Sequence, residues 1–338
     1  MHPKTPSAAT AKRIVSRRTV LTAGAATLGA LAMPGLIRAQ DKVAIRVGYW
    51  PVSAGLPFFA AVEEGFFKEA GLTVEPQRHA GAQQVMEAML SGRCDGSATG
   101  TGSAFLAIGQ IAQPGLLKFI CTNPSNTKYV LEEFLVPTAS TVNVLADLSG
   151  KTIGSAPGIQ NMTLARTVLE KAGAKGFRLI ELPFGQHIPA IAAGQVDAVY
   201  TLEPQGTIGR LNGTSRILEA GVIAKYILGE PLAPWHGGAA SLTSAFIDKN
   251  PAITATYVKA FGRGVAFVRT QPDAARKYFE GYTAIKGDLA KEVPLSGYMM
   301  HDEFDDKALA YFQTFFDLFS KNGIFASPVP VGPMLYKG

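Results

Sequence analysis

Four loop segments carry the side chains that bear on chemistry. They are Tyr49-Trp50-Pro51-Val52-Ser53, Gly100-Thr101-Gly102-Ser103, Ala156-Pro157-Gly158-Ile159-Gln160-Asn161 and Leu202-Glu203-Pro204-Gln205. Their glycines let backbone approach a bound molecule closely. Hydroxyls, amides and one aromatic pair complete the set, and none of the four holds a Lys or Arg. Two of the loops run into helical patterns, at Ser103 and near residues 161–163. A helix start offers unpaired N–H groups and the positive end of a dipole, which suits an anion. Ser103 and Asn161 also suit ordinary helix capping, and capping is compatible with ligand contact.

Signatures of turnover are missing from this set. The sequence has no Gly-x-Ser-x-Gly, His-Glu-x-x-His, Walker or Cys-x-x-Cys motif. Gly100-x-Gly102 follows a strand pattern, but Phe105 stands where a dinucleotide fingerprint needs its third glycine. His79, His187, His236 and His301 have no mutual ligand spacing and suit surface or structural roles. His236, beside Trp235, borders an expected crossing between two halves of the chain. No catalytic residue, metal site or cofactor is expected.

The elements that must hold these loops come from periodicity. Strand patterns fall at 45–49, 73–75, 94–99 and 117–121, and helical patterns at 56–70, 83–90 and 103–110. Such alternation predicts an α/β architecture with a mainly parallel sheet built from βαβ units. Ligands of open α/β sheets sit outside the carboxyl ends of the strands, where the four loops fall. Cys94 would begin one strand and Cys121 end the next, at opposite ends of a parallel sheet and too far apart for a disulfide. Two buried free thiols are expected.

The pattern then recurs. Ala70-Gly71, Gly92-x-x-Asp95 and Thr99 map at one offset of 102 residues onto Ala172-Gly173, Gly194-x-x-Asp197 and Thr201. Val47-Gly48-Tyr49-Trp50-Pro51 recurs as Ile153-Gly154-Ser155-Ala156-Pro157 at an offset of 106. Two lobes of one design follow, the first from 40–138 and 236–338, the second from 139–235. Residues 129–137 lead out of the first lobe, and 239–242 return to it. A helix over 248–268 and a C-terminal helix then cap the first lobe. Ile253, Tyr257, Phe261, Val265 and Val268 face its core from one helix. Phe304, Ala308, Phe312, Phe315 and Phe319 do so from the other.

Charge separates the amino terminus from the rest. The chain has 338 residues with 32 Lys and Arg against 26 Asp and Glu, a formal charge of +6. Lys4, Lys12, Arg13, Arg17, Arg18 and Arg38 lie in residues 1–39 with no acidic residue, so the remainder balances 26 against 26. That balance removes the reason to expect nucleic acid or an anionic membrane as partner. Arg17-Arg18, an uncharged Ala-, Gly-, Leu- and Thr-rich stretch and small Ala39 make a signal peptide resembling the twin-arginine type. A protein free in the periplasm is expected.

A family resemblance rests on motifs in fixed order. They are Val47-Gly48-Tyr49-Trp50-Pro51, Glu63-Glu64-Gly65-Phe66-Phe67-Lys68-Glu69-Ala70-Gly71-Leu72, Gly92-x-x-Asp95, Asp147-Leu148-Ser149-Gly150-Lys151-Thr152-Ile153-Gly154 and Gly194-Gln195-Val196-Asp197-Ala198-Val199-Tyr200-Thr201-Leu202-Glu203-Pro204. The chain resembles the periplasmic substrate-binding proteins of ABC importers for sulfonates, taurine, nitrate and related small molecules, over residues 43–330. Phe246-Ile247-Asp248-Lys249-Asn250-Pro251 resembles that family's entry into its helical cap. The resemblance implies a two-lobed type II periplasmic-binding fold. It also implies a ligand enclosed between lobes and delivered to an ABC permease at the inner membrane, with the binding protein itself a monomer.

On this reading Tyr49, Trp50, Thr101, Ser103, Gln160, Asn161, Met162, Thr163 and Glu203 line the cleft. Trp50 packs on the apolar part of the ligand, and Thr101, Ser103, Asn161 and Thr163 hydrogen-bond its polar end. Glu203 accepts from a ligand amine or braces the hinge. Sulfonate-binding members often have a Ser- or Thr-rich turn where this chain has Pro157-Gly158-Ile159-Gln160-Asn161; Ile159 and Met162 make the pocket more apolar. A small organic anion, sulfonate-like or an aromatic or heterocyclic acid, is the expected ligand. The alternatives are a periplasmic sensor presenting solute to a receptor and an enzyme like the related pyrimidine synthase. The latter relies on iron and a cysteine-rich motif that two cysteines do not supply.

Overall fold

The computed structural model describes residues 43–338. The chain enters through β1 (Ala44–Tyr49), β2 (Thr73–Arg78), β3 (Gly96–Gly102) and β4 (Leu117–Ser125). It crosses to β5 (Glu132–Pro137), β6 (Thr152–Ser155), β7 (Arg178–Glu181), β8 (Ala198–Leu202) and β9 (Ser215–Ala220). It returns through β10 (Trp235–Thr243) and ends its strands at β11 (Met299–Met300). The first sheet has the order β11-β4-β10-β3-β1-β2, the second β7-β6-β8-β5-β9. In each, the βαβ strands run parallel, and the strands arriving from the other lobe, β10 and β5, run against them. The α/β, two-lobed, mainly parallel expectation holds.

The 102-residue echo has a physical meaning. The Asp95 carboxylate accepts the Arg46 amide at 2.9 Å, and the Asp95 amide donates to the Arg46 carbonyl at 2.8 Å. Asp197 repeats this with Thr152, at 2.8 Å in both directions. Gly92 and Gly194 precede them with φ of +70° and +66°, ending a helix in the left-handed conformation that glycine adopts without penalty. Each Gly-x-x-Asp therefore closes a helix and staples the next strand to the first parallel strand of its lobe, β1 or β6.

Several boundaries differ from expectation. The helix foreseen over 56–70 breaks into Leu56–Glu63 and Phe66–Glu69, because Gly65 sits at φ +76°. The helix foreseen over 248–268 starts afresh as Pro251–Thr270, where Pro251 has no N–H to continue the preceding Ser244–Lys249 turn. Phe304 precedes the C-terminal helix Asp306–Lys321, which Asp305 caps by accepting the Ala308 amide. The crossing also moves. β5 pairs with β8 and β9, so the second lobe's sheet takes residues 132–137, which the sequence reading gave to the first lobe.

Cys94 and Cys121 are buried and free. Cys121 lies inside β4 rather than at its end, and β10 separates β4 from β3. Tyr257, Phe261, Val265 and Val268 are buried against the first lobe, as are Phe312, Phe315 and Phe319. No described helix is long and apolar enough to cross a membrane. The signal reading of residues 1–39 lies outside the described residues.

Candidate functional site

Trp50 follows β1 directly, so strand alternation turns it away from the side that Tyr49 faces. Its indole N–H donates to the Gly100 carbonyl at 2.9 Å, and its ring meets Phe184 of the second lobe edge-on, with centroids 5.2 Å apart. The Gly100 amide donates to Asn123 Oδ1 at 2.8 Å. Gly100 has φ +86°, and a Cβ there would lie 2.6 Å from Val52 Cγ1. A Cβ on Gly238 would meet Asn123 Oδ1 at 2.6 Å, and one on Gly237 would enter the Trp235 ring at 2.1 Å. Absent side chains at these three positions are what let Val52, Asn123 and Trp235 pack directly on the backbone there.

Gln160 joins the lobes. Its Oε1 accepts the amide of Ala104, second residue of the helix Ser103–Ala112, at 2.9 Å. Its Nε2 donates to the Gly237 carbonyl at 2.9 Å. Ser103 Oγ donates to the His236 carbonyl at 2.7 Å, fixing the helix start against β10. The Ser53 amide donates to the Glu203 carbonyl at 3.1 Å, a second backbone-level link between the lobes. Phe105 lies so close to Gly158 that a Cβ there would sit 2.7 Å from its ring. The two lobes are thus closed on each other around a floor of glycines.

Several polar atoms at this closure are buried without a protein partner: Ser53 Oγ, Thr99 Oγ1, Asn123 Nδ2, Trp235 Nε1, His236 Nε2 and Glu203 Oε1. Buried polar groups are normally paired, so these atoms are free to meet a further partner. Asn123 Nδ2 and Trp235 Nε1 are pure donors. His236 Nδ1 meets Thr122 Oγ1 at 2.9 Å, and its ring packs on Phe304 and Phe312. Burial there pushes its pKa down to about 3, so the ring is neutral.

Three glutamates lie buried behind the cleft. Glu132 bonds Ser125 Oγ at 3.0 Å, and burial pushes its pKa up to about 7. Glu133 and Glu203 face each other across the start of the helix Gln205–Leu211. Burial first, then their mutual repulsion at Glu133, raises their pKa values. Glu203 Oε2 accepts the Thr207 amide at 3.1 Å.

Of the sequence-derived set, Trp50, Ser103, Gln160 and Glu203 come together at the closure. Tyr49 does not. It is buried against Phe58, Phe59 and Tyr282 in the other core of the first lobe, a correction that follows from strand alternation. Thr101 turns its hydroxyl back to the Ala98 carbonyl of its own strand at 2.9 Å. Asn161 donates to Pro157 one turn back at 3.4 Å, and Met162 and Thr163 are half-buried on the following turn. Neither Ser103 nor Asn161 caps its helix: the caps are Gly102 and Gly158, without side-chain bonds. Sequence reasoning passed over Asn123, Phe184 and Trp235. Only Trp235 carried a signal, through its place at the return crossing. Among the described residues no cluster of three His, Cys, Asp or Glu is placed to hold a metal ion.

Two lobes of this strand order, closed over a shared cleft, define the bilobal periplasmic-binding fold. The chain belongs to the NMT1/THI5-like family, whose model matches residues 53–275. Among solved structures it is similar to the alkanesulfonate-binding protein SsuA of Xanthomonas axonopodis pv. citri bound to MOPS. That match has 20% identity and a TM-score of 0.69, and covers 87% of this chain and 98% of the other. The periplasmic aliphatic sulphonate-binding SsuA of Escherichia coli matches at 20% identity and TM-score 0.69, covering 87% and 92%. A cysteine-to-serine mutant of DszB in complex with biphenyl-2-sulfinic acid matches at 15% identity and TM-score 0.63, covering 87% and 96%. No curated protein sequence matches. The resemblance to substrate-binding proteins of sulfonate, taurine and nitrate importers is borne out in family and fold.

Proposed function

We propose that this protein is the solute-binding component of an ABC importer, exported to the periplasm by the twin-arginine-type signal of residues 1–39. It captures a small organic anion between its lobes and delivers it, as a monomer and without catalysis, to a permease at the inner membrane. One observation carries the reading. Two buried pure donors, Asn123 Nδ2 and Trp235 Nε1, lie without protein partners on residues that abut Gly238 and Gly237, and the other lobe's Gln160 bonds the Gly237 carbonyl. Donors without acceptors suit an acidic head group, and no full positive charge is spent on it.

The apolar partners set the rest of the ligand. Trp50 and Phe184 meet edge-on across the cleft and suit a short alkyl or planar aromatic body. The alkanesulfonate and biphenyl-2-sulfinic acid named for SsuA and DszB have that combination of sulfur oxyacid and apolar body. Glu203 braces the hinge through its carbonyl and its bond to Thr207. A ligand stabilises the closed form by as much as it binds that form better than the open one. A non-catalytic role also suits Cys94, whose thiol burial pushes up to about 11.

The test is a thermal-shift panel of alkanesulfonates, arylsulfonates, aromatic carboxylates, nitrate and pyrimidines. A ligand that binds only the folded state raises the melting temperature with concentration. A sulfonate or aromatic acid is expected to do so. Stabilisation by a neutral pyrimidine alone, or chemical turnover of any bound compound, overturns the reading.

A further inference from the structure

We infer that Gln160 is a built-in competitor for the ligand's acidic head. The inference rests on the anion reading above. Gln160 is 4% exposed, and its carboxamide oxygen takes the Ala104 amide, an acceptor placed where an oxygen of a sulfonate or carboxylate would go. Its other end holds Gly237, in the strand that carries Trp235 and His236. Gly237 and Gly238 abut Trp235 and Asn123, the two residues whose buried donors are unpaired. One side chain of the second lobe therefore meets both the first lobe's helix start and the strand whose glycines abut Trp235 and Asn123.

Two consequences follow. Closure does not need the ligand's head group at Ala104, because Gln160 supplies an acceptor there. An anion that seeks the Ala104 amide must displace Gln160 first, so the fraction of molecules closed by Gln160 is withheld from binding. Gln160 thus sets a floor under the concentration of anion that the protein answers to. It selects for ligands whose charge outcompetes a neutral amide.

The experiment pairs Gln160→Met, which keeps volume, with Gln160→Ala. Small-angle scattering without added solute is expected to show both variants more open than the parent. All three should converge on one compact form with saturating methanesulfonate or benzenesulfonate. Titration calorimetry with those two probes is expected to show roughly tenfold tighter binding in the variants, about what two modest hydrogen bonds withhold. Weaker binding in both variants would make Gln160 a direct ligand contact and overturn the inference. So would unchanged compactness with unchanged affinity. If the parent binds neither probe, the anion reading falls separately, and the scattering comparison still decides whether Gln160 holds the lobes together.

Discussion

The Oε1 atom of Gln160 lies 2.9 Å from the backbone amide of Ala104, so a residue of one lobe closes the helix start of the other. The Ser53–Glu203 backbone bond and the Trp50–Phe184 ring contact act across the same boundary. Closure rests on a few directional contacts around a glycine floor, an arrangement that a modest binding energy can tip.

Trp50 is the aromatic end of that arrangement. Trp50→Phe keeps a ring against Phe184 but loses the bond to Gly100, whereas Trp50→Ala loses both. Affinity for benzenesulfonate is expected to fall by about tenfold or more in Trp50→Ala and by less in Trp50→Phe, in line with aromatic pair energies of ~1 kcal/mol plus lost burial. Competition calorimetry measures both. Equal affinities in all three proteins would place the apolar subsite elsewhere.

Gly100 tests the floor. At φ +86°, with a Cβ 2.6 Å from Val52, Gly100→Ala is expected to destabilise the fold by about 2–4 kcal/mol. Gly71 has φ +76° but nothing within 4 Å, so Gly71→Ala is expected to cost only the left-handed penalty of about 1–2 kcal/mol. Urea denaturation of the pair separates crowding from backbone strain.

The duplicated aspartates give a stability prediction of their own. Asp95→Ala and Asp197→Ala each leave a strand amide without its acceptor, at a cost of roughly 1–3 kcal/mol. They serve different sheets, so the double variant should lose the sum of the two single losses. A double variant no worse than one single variant would contradict the equivalence of the two motifs.

Glu132 supplies the pH dependence. Its pKa is raised to about 7 in the fold, against about 4.3 in an unfolded chain. The folded state therefore holds the proton more tightly. This contribution to stability is full below about pH 4.3 and is lost as pH rises through 7. Glu132→Gln should remove that loss, gaining on the parent between pH 5 and 8 by on the order of 4 kcal/mol at most. His187, pushed down to about 4 by burial, works the other way and loses stability as pH falls from 6.5 toward 4. Melting curves of parent and Glu132→Gln at several pH values isolate the glutamate from the histidine.

Much of the fold was legible because βαβ units leave a strong record. The two Gly-x-x-Asp motifs, the strand patterns and the aromatic faces of the cap all follow local rules of periodicity and capping. Tyr49 was misplaced for a local reason too: adjacent residues at a strand end face opposite sides, and only Trp50 faces the cleft. The first crossing was misplaced because residues 129–137 show a strand leading out of the first lobe but not which sheet it joins; pairing with β8 and β9, 60 to 90 residues later, decides that and buries Glu132 and Glu133. Asn123 was invisible as a site residue, being one of several polar residues late in its strand, beside Thr122 and Ser125. Its value depends on Gly100 and Gly238, which lie 23 and 115 residues away and meet it only in three dimensions.

Calorimetric titration of the protein with benzenesulfonate and methanesulfonate, alongside Asn123→Ala, tests the central claim most directly. The expected result is one-to-one binding of at least one of them, weakened roughly tenfold when the unpaired Asn123 donor is removed, as for a hydrogen bond to a charged group. Binding of neither sulfonate, or binding indifferent to Asn123→Ala, would contradict an anion site between the lobes.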